Sequence, residues 1–195
     1  MENTDVLIIG GGPTGLVLAL ELAAQKAPFR IIDKALGRSD KSRALVVQQR
    51  TLELLHRHGI ARSLQERGNT PHGARYCVNG KEVASIKVER DATLPNTAFP
   101  HQKLTSQEDT EYFLDEYLEK YGHRVERGLE AKTIAQDTDG VTVTLNRVGK
   151  ATEYATTIRA KFVVGCDGSQ SFVRKAAGLS FDGESYPQPG FKTIQ

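Results

Sequence analysis

The sequence predicts an α/β fold built on a parallel sheet and carrying an antiparallel β excursion. Three observations predict it. The apolar run Val6 to Ile9 leads through a glycine-rich turn into an apolar helical repeat. A second apolar run, "FRIIDK", follows at βαβ spacing. Farther on, Asn79-Gly80 and Asp137-Thr138-Asp139-Gly140 are turn signals between strand-like segments, as hairpins require.

The first unit is the most informative. Val6, Leu7, Ile8 and Ile9 are continuously apolar, as expected of a strand buried on both faces of a parallel sheet. A helix is predicted from Pro13, a residue favoured in a first turn, with Leu16, Ala19, Leu20 and Ala23 at helical spacing. Between strand and helix, Gly10, Gly12 and Gly15 form a G-x-G-x-x-G pattern. In that context Gly10 permits the tight turn, Gly12 lets the backbone approach a pyrophosphate, and Gly15 allows close helix–strand packing. The free N–H groups and positive dipole of the helix start favour the anion. The second strand ends in Asp33, 18 residues past Gly15, where an acid accepts hydrogen bonds from ribose hydroxyls. The expected dinucleotide site is therefore Gly10, Gly12, Pro13, Thr14, Gly15, Asp33 and Lys34, a Rossmann-like arrangement that by itself allows NAD or FAD.

After the polar loop "KALGRSDKSRA", Leu52 and Leu55 mark a helix stopped near Gly59, and Ala61 to Arg67 form a short helix ending at Gly68. "ARYCVNGKEVASIKV" reads as a hairpin that interrupts the α/β pattern. A loop containing Pro95 and Pro100 follows. Thr105 and Glu108 have capping-box spacing at the start of a helix whose apolar face is Phe113, Leu114, Tyr117, Leu118 and Tyr121. "AKTIAQD" and "VTVTLN" form the second hairpin, and "EYATTIRA" a further strand. "KFVVGCDG" reads as another strand, apolar and buried, and "SQSFVRKAAG" as a short helix closed by Gly178.

Composition narrows the function classes. The 195 residues are 38% hydrophobic and 26% charged with a net charge of +2, which suits a globular chain and gives no case for nucleic acid or membrane as partner. Glu2 and Asp5 stand where a signal peptide needs positive charge, so the default location is cytoplasmic. Cys77 and Cys166 read as buried or half-buried thiols. The five histidines read as surface residues, and none has zinc spacing with a third ligand, so no metal is expected.

Four segments in order resemble the group A FAD-dependent monooxygenases, the para-hydroxybenzoate and phenol hydroxylase family. They are "GGGPTG" with Asp33, "SRALVVQQRTLELL", "LTSQEDTEYFL" and "VVGCDGSQSFVRKAAG", together covering about residues 4–180. The resemblance implies FAD as cofactor, NAD(P)H as reductant and an aromatic or polyketide-like small molecule as substrate. It adds Arg43, Gln107, Asp167 and Gly168 to the FAD-contacting set. A guanidinium fork suits phosphate oxygens better than the ammonium of Lys41 does. No catalytic residue is assigned.

The resemblance also sets domain expectations: 1–73 as a FAD-binding βαβ portion, 74–101 as part of a substrate-domain sheet, 102–180 as the rest of the FAD-binding domain, and 181–195 as the start of the substrate domain. The family's second flavin segment, Gly-Asp-Ala-Ala-His, has no match in this chain. On that ground the chain is expected to be a poor monooxygenase alone and to self-associate or pair with a partner over an uncovered face. A non-oxygenating binding or accessory subunit, or a flavin-independent enzyme reusing the pocket, remains the alternative. Family members also end the first helix with glycine where this chain has Lys26, whose left-handed backbone would cost about 1 kcal/mol.

Overall fold

In the computed structural model, residues 2–38, 46–87, 96–149 and 155–183 are described; Arg43 lies outside them. The chain opens with β1 (Glu2–Ile9), α1 (Pro13–Ala24) and β2 (Phe29–Asp33), the expected βαβ start. Next come β3 (Val46–Val47), α2 (Gln49–His56), α3 (Ile60–Arg67) and the hairpin β4 (Gly73–Val78) with β5 (Lys81–Lys87). Then follow β6 (Lys103–Leu104), α4 (Gln107–Lys120), β7 (Glu126–Arg127), β8 (Leu129–Asp137), β9 (Gly140–Arg147), β10 (Ala155–Gly165) and α5 (Phe172–Ala176).

Among the described residues, one six-stranded sheet has the order β7-β2-β1-β10-β9-β8. β7, β2, β1 and β10 run parallel, while β9 and β8 are antiparallel additions. Two apolar clusters divide the interior. Ile8, Ile31 and Phe29 pack under Leu16, Leu20, Leu114 and Leu118 of α1 and α4. Leu7, Ile9 and Ile32 point the other way, against Val141, Val143 and Leu145. Alternate β9 residues are buried, the period-two pattern of a strand with one covered face. The β8–β9–β10 meander thus covers the sheet face opposite the helices.

β10 is one strand of eleven residues where the sequence reads as two. Its first half pairs antiparallel with β9, and from Ile158 onward it pairs in parallel with β1. The apolar pattern changes where the neighbours change. The expectation of a buried "KFVVG" does not hold: Phe162 is 65% exposed and Val163 and Val164 are half-buried, because among the described helices α1 packs over β1 and β2, and only the short α5 packs against β10.

Local chemistry accounts for the ends of elements. Lys26 does adopt the left-handed conformation at φ 56°, with its N–H donating to the Ala23 carbonyl beyond α1. Asn79 and Gly80 both have positive φ, as a two-residue hairpin turn of the favoured hand demands. The α4 cap is one residue later than the Thr105–Glu108 spacing predicts. Ser106 Oγ accepts from the Asp109 N–H and donates to its carboxylate, while Thr105 is turned inward and is 8% exposed. Leu114 and Leu118 form the buried stripe of α4 with Glu111, whereas Tyr121 is 43% exposed.

Two further expectations are corrected. Cys77 is exposed, because every residue of β4 and β5 is exposed in that two-stranded sheet. His58 is buried, its side chain only 2% exposed, because it closes the corner between α2–α3 and α1. There its Nε2 lies 2.8 Å from Glu21 Oε1, which Arg57 also contacts. Burial alone pushes the Glu21 carboxyl up, but the His58 hydrogen bond and the charges of His58 and Arg57 outweigh it and leave it below its ordinary value. No helix among the described residues is long and apolar enough to cross a membrane.

Candidate cofactor groove

The carboxyl ends of β1, β2 and β10 converge beside the N-terminus of α1. β1 stands between β2 and β10 and runs parallel to both, and in open α/β sheets the crevice for a ligand lies outside such carboxyl ends. A groove of about 360 Å³ lies there. It is lined by nine of the eleven residues expected from sequence: Gly10, Gly12, Pro13, Thr14, Asp33, Lys34, Gln107, Asp167 and Gly168. Gly15 lies behind the lining rather than in it, and Arg43 falls outside the described residues.

The three motif glycines have separate jobs. Gly10 has φ 115°, and a Cβ there would run into the Cys166 carbonyl and stand 2.8 Å from the Asp167 N–H. A Cβ on Gly15 would strike the Gly10 carbonyl oxygen and lie 3.3 Å from Cys166 Cβ. These two glycines let β1, α1 and the end of β10 close on one another. Gly12 differs: its backbone is extended (φ −78°, ψ −176°), and a Cβ would meet no atom within 4 Å. That side chain would project into open space at the helix start.

α1 begins at that point with no side chain capping it and no acidic residue in its first turn. Pro13 contributes no N–H, so the donors of this first turn are the Gly12, Thr14 and Gly15 N–H groups; no side chain caps them among the described residues, and they stand at the positive end of the helix dipole. A helix start of this kind suits an anion such as a pyrophosphate.

Asp33 stands at the rim. Its Oδ2 accepts from the Gly11 N–H at 2.5 Å and its Oδ1 from the Ala35 N–H at 2.7 Å. Each carboxylate oxygen keeps a lone pair for a second donor, so ribose hydroxyls still have acceptors. Gln107 is the first residue of α4, and its amide nitrogen donates to the buried Glu111 carboxylate at 2.7 Å. Asp167 and Gly168 line the groove, but the Asp167 carboxylate is engaged elsewhere. It accepts from Ser171 Oγ at 2.5 Å and from the Phe172 and Val173 N–H groups at 2.6 and 3.1 Å, so it caps α5. Cys166 sits on the groove floor, and burial, with the Asp167 charge second, pushes its thiol above the ordinary range.

The motif reading missed several contributors. Gly11 is one: a Cβ there would lie 2.8 Å from Val125 Cγ1 and 3.2 Å from Asp33 Oδ2. Its signal was the run of three glycines, of which the motif scores only two. Leu129, Glu130 and Ala131 at the start of β8, with Gln170 and Phe172, complete the wall. The three β8 residues reach it because the meander folds across the sheet, whereas Gln170 and Phe172 follow the Asp167-Gly168 turn. A smaller compartment of about 200 Å³ shares Pro13 and Gln107 with the groove and adds Val46, Val47, Thr51 and Thr105. The Thr105 hydroxyl there is buried with no hydrogen-bond partner among the described residues.

The residues present fit the adenosine–pyrophosphate half of FAD. The uncapped helix start, the open space above Gly12 and the acceptor at Asp33 match pyrophosphate and ribose.

Residues 3–191 match the family described as FAD binding domain. The 6-methylpretetramide 4-monooxygenase of Streptomyces rimosus is 35% identical over 184 residues, covering 94% of this chain and 32% of that protein. Pentachlorophenol 4-monooxygenase of Sphingobium chlorophenolicum is 30% identical, with 95% and 34% covered. Among solved structures, p-nitrophenol 4-monooxygenase from Pseudomonas putida DLL-E4 superposes with a TM-score of 0.83 at 28% identity, covering 95% of this chain and 46% of that one. The flavin-dependent monooxygenase PieE, solved with FAD and substrate, gives 0.81 at 28% identity, with 93% and 33% covered. The chain spans about a third of the length of the curated relatives it matches. On the match over residues 3–191, the chain belongs to the FAD binding domain family, and the relatives it matches are monooxygenases.

Proposed function

We propose that this chain holds FAD by its adenosine and pyrophosphate end, within a monooxygenase that uses NAD(P)H to oxygenate an aromatic or polyketide-like small molecule. The observation that carries the reading is the convergence of three separate sequence segments on one groove. The glycine loop, Gln107 at the start of α4 and the Asp167-Gly168 turn line it together, with Asp33 at its rim. When bound, FAD supplies the redox and oxygen-activating chemistry, and the protein supplies position and shielding.

The chain's own groups divide that work. The α1 N-terminus receives the pyrophosphate charge, and Gly12 keeps space for it. Asp33 accepts the ribose hydroxyls. Gln107, held by Glu111, stands where the groove meets the smaller compartment and orients the part of FAD beyond the pyrophosphate. Asp167 acts indirectly, holding the turn into α5 so that Gly168 stays in the wall.

The test is reconstitution. The purified chain is mixed with FAD, desalted and examined for flavin absorbance that stays with the protein, then for NAD(P)H oxidation coupled to an oxygenated aromatic product. Retained flavin supports the cofactor assignment, and coupled product formation supports the oxygenase assignment. A colourless protein that cannot take up FAD removes the reading and favours a flavin-independent derivative.

A further inference from the structure

We infer that Asp33 has a second role besides accepting ribose hydroxyls: it latches the glycine loop into its binding shape before any nucleotide arrives. This rests on reading the groove as a nucleotide site, but the latch itself is a property of the free protein.

The loop needs something to hold it. Gly10, Gly11 and Gly12 are consecutive, and glycine loses more conformational freedom on ordering than any other residue. Two hydrogen bonds tie this segment to β2, whose end lies beside it. The Gly10 N–H donates to the Ile32 carbonyl at 2.9 Å, and the Gly11 N–H donates to Asp33 Oδ2 at 2.5 Å. The second spans 22 residues and has a carboxylate as acceptor, the stronger class of hydrogen bond. Asp33 is itself oriented, because its other oxygen accepts from the Ala35 N–H. The loop is also pressed onto this contact. A Cβ on Gly11 would stand 2.8 Å from Val125 Cγ1 and 3.2 Å from Asp33 Oδ2, so the close approach requires glycine.

The Gly11 N–H is therefore spent on Asp33 rather than offered to the ligand. The donors left for a pyrophosphate belong to the start of α1, and the latch fixes where that start stands relative to β2. A ribose-only role and a latching role then differ in a measurable way. If Asp33 only accepts ribose hydroxyls, its loss leaves unchanged the binding of a nucleotide lacking those hydroxyls. If it shapes the loop, such a nucleotide is weakened too.

The test compares wild type with Asp33→Asn and Asp33→Ala. Asparagine keeps the shape but offers one neutral oxygen to two amide donors. Calorimetric titration with ADP and with dideoxy-ADP, which lacks both ribose hydroxyls, is paired with amide hydrogen exchange at Gly11 in the free protein. The expected result is dideoxy-ADP binding weakened about tenfold in both variants, the loss of one hydrogen bond to a charged group. Gly11 exchange should accelerate by about the same factor. Dideoxy-ADP bound equally or more tightly by Asp33→Asn, with only ADP weakened, overturns the latch. So does Gly11 exchange that is the same in wild type and variants. If wild type binds neither nucleotide, the groove reading falls, and Gly11 exchange still decides the latch.

Discussion

Replacing Gly12 by alanine should abolish tight cofactor binding without harming the fold, whereas the same change at Gly15 should harm the fold first. The Gly12 backbone is extended and its Cβ would meet nothing within 4 Å. Alanine there costs a few tenths of a kcal/mol as a helix cap and regains a similar amount from the stiffer unfolded chain, for a net change within about 0.5 kcal/mol. The new methyl occupies the space a pyrophosphate needs. Losing two charge-assisted hydrogen bonds of about 1.5 kcal/mol each weakens FAD about 100-fold. At Gly15 the Cβ would strike the Gly10 carbonyl oxygen, and Gly10 is itself packed against Cys166. Overpacking of that kind costs about 2 kcal/mol and exceeds the gain in helix propensity. The assay is urea unfolding of both variants beside a fluorescence titration with FAD. Gly12→Ala as destabilised as Gly15→Ala, or Gly12→Ala binding FAD like wild type, would refute the division of labour among these glycines.

Three further outcomes are expected. Lys26→Gly should raise unfolding stability by about 1 kcal/mol in urea, since it relieves a lysine held at φ 56°. Leu145→Ala should lower it by about 3 kcal/mol, because Leu145 is fully buried between the meander and the parallel strands. Below pH 4 an Asp137-dependent loss should appear. The Arg159 hydrogen bond, then the Asp139 N–H, hold the Asp137 carboxyl down from 3.8 to about 2. A depressed folded-state value means the stabilisation is present above 3.8 and disappears as pH falls toward 2. Unfolding midpoints measured across that range should lose this component in Asp137→Asn and show a smaller one at high salt.

What could be read from sequence was whatever a local pattern decides. The βαβ start, the motif glycines and the Asn79-Gly80 hairpin follow from periodicity or backbone chemistry within a few residues, whereas the left-handed Lys26 was implied by the resemblance. The four-segment resemblance then located most of the groove lining, although the segments touch only in the folded chain. What escaped were features set by distant neighbours. His58 is buried because Glu21 of α1 lies against it, and Cys77 is exposed because its hairpin is uncovered. Adjacent hydroxyls at Thr105 and Ser106 compete for one cap, and only the packing of Thr105 decides between them. β7 is two residues long, too short to carry a pattern. Asp167 could be placed at the groove, but not the engagement of its carboxylate by α5, which depends on the turn geometry.

The proposed place for FAD is the groove at the carboxyl ends of β1, β2 and β10, which would hold it by its adenosine–pyrophosphate half. Calorimetric titration of the purified chain with FAD, repeated in the presence of saturating ADP, tests it most directly. Saturable one-to-one binding that ADP competes away and that Gly12→Ala loses is the expected result. Absence of FAD binding, or FAD binding that ADP leaves untouched, would contradict it.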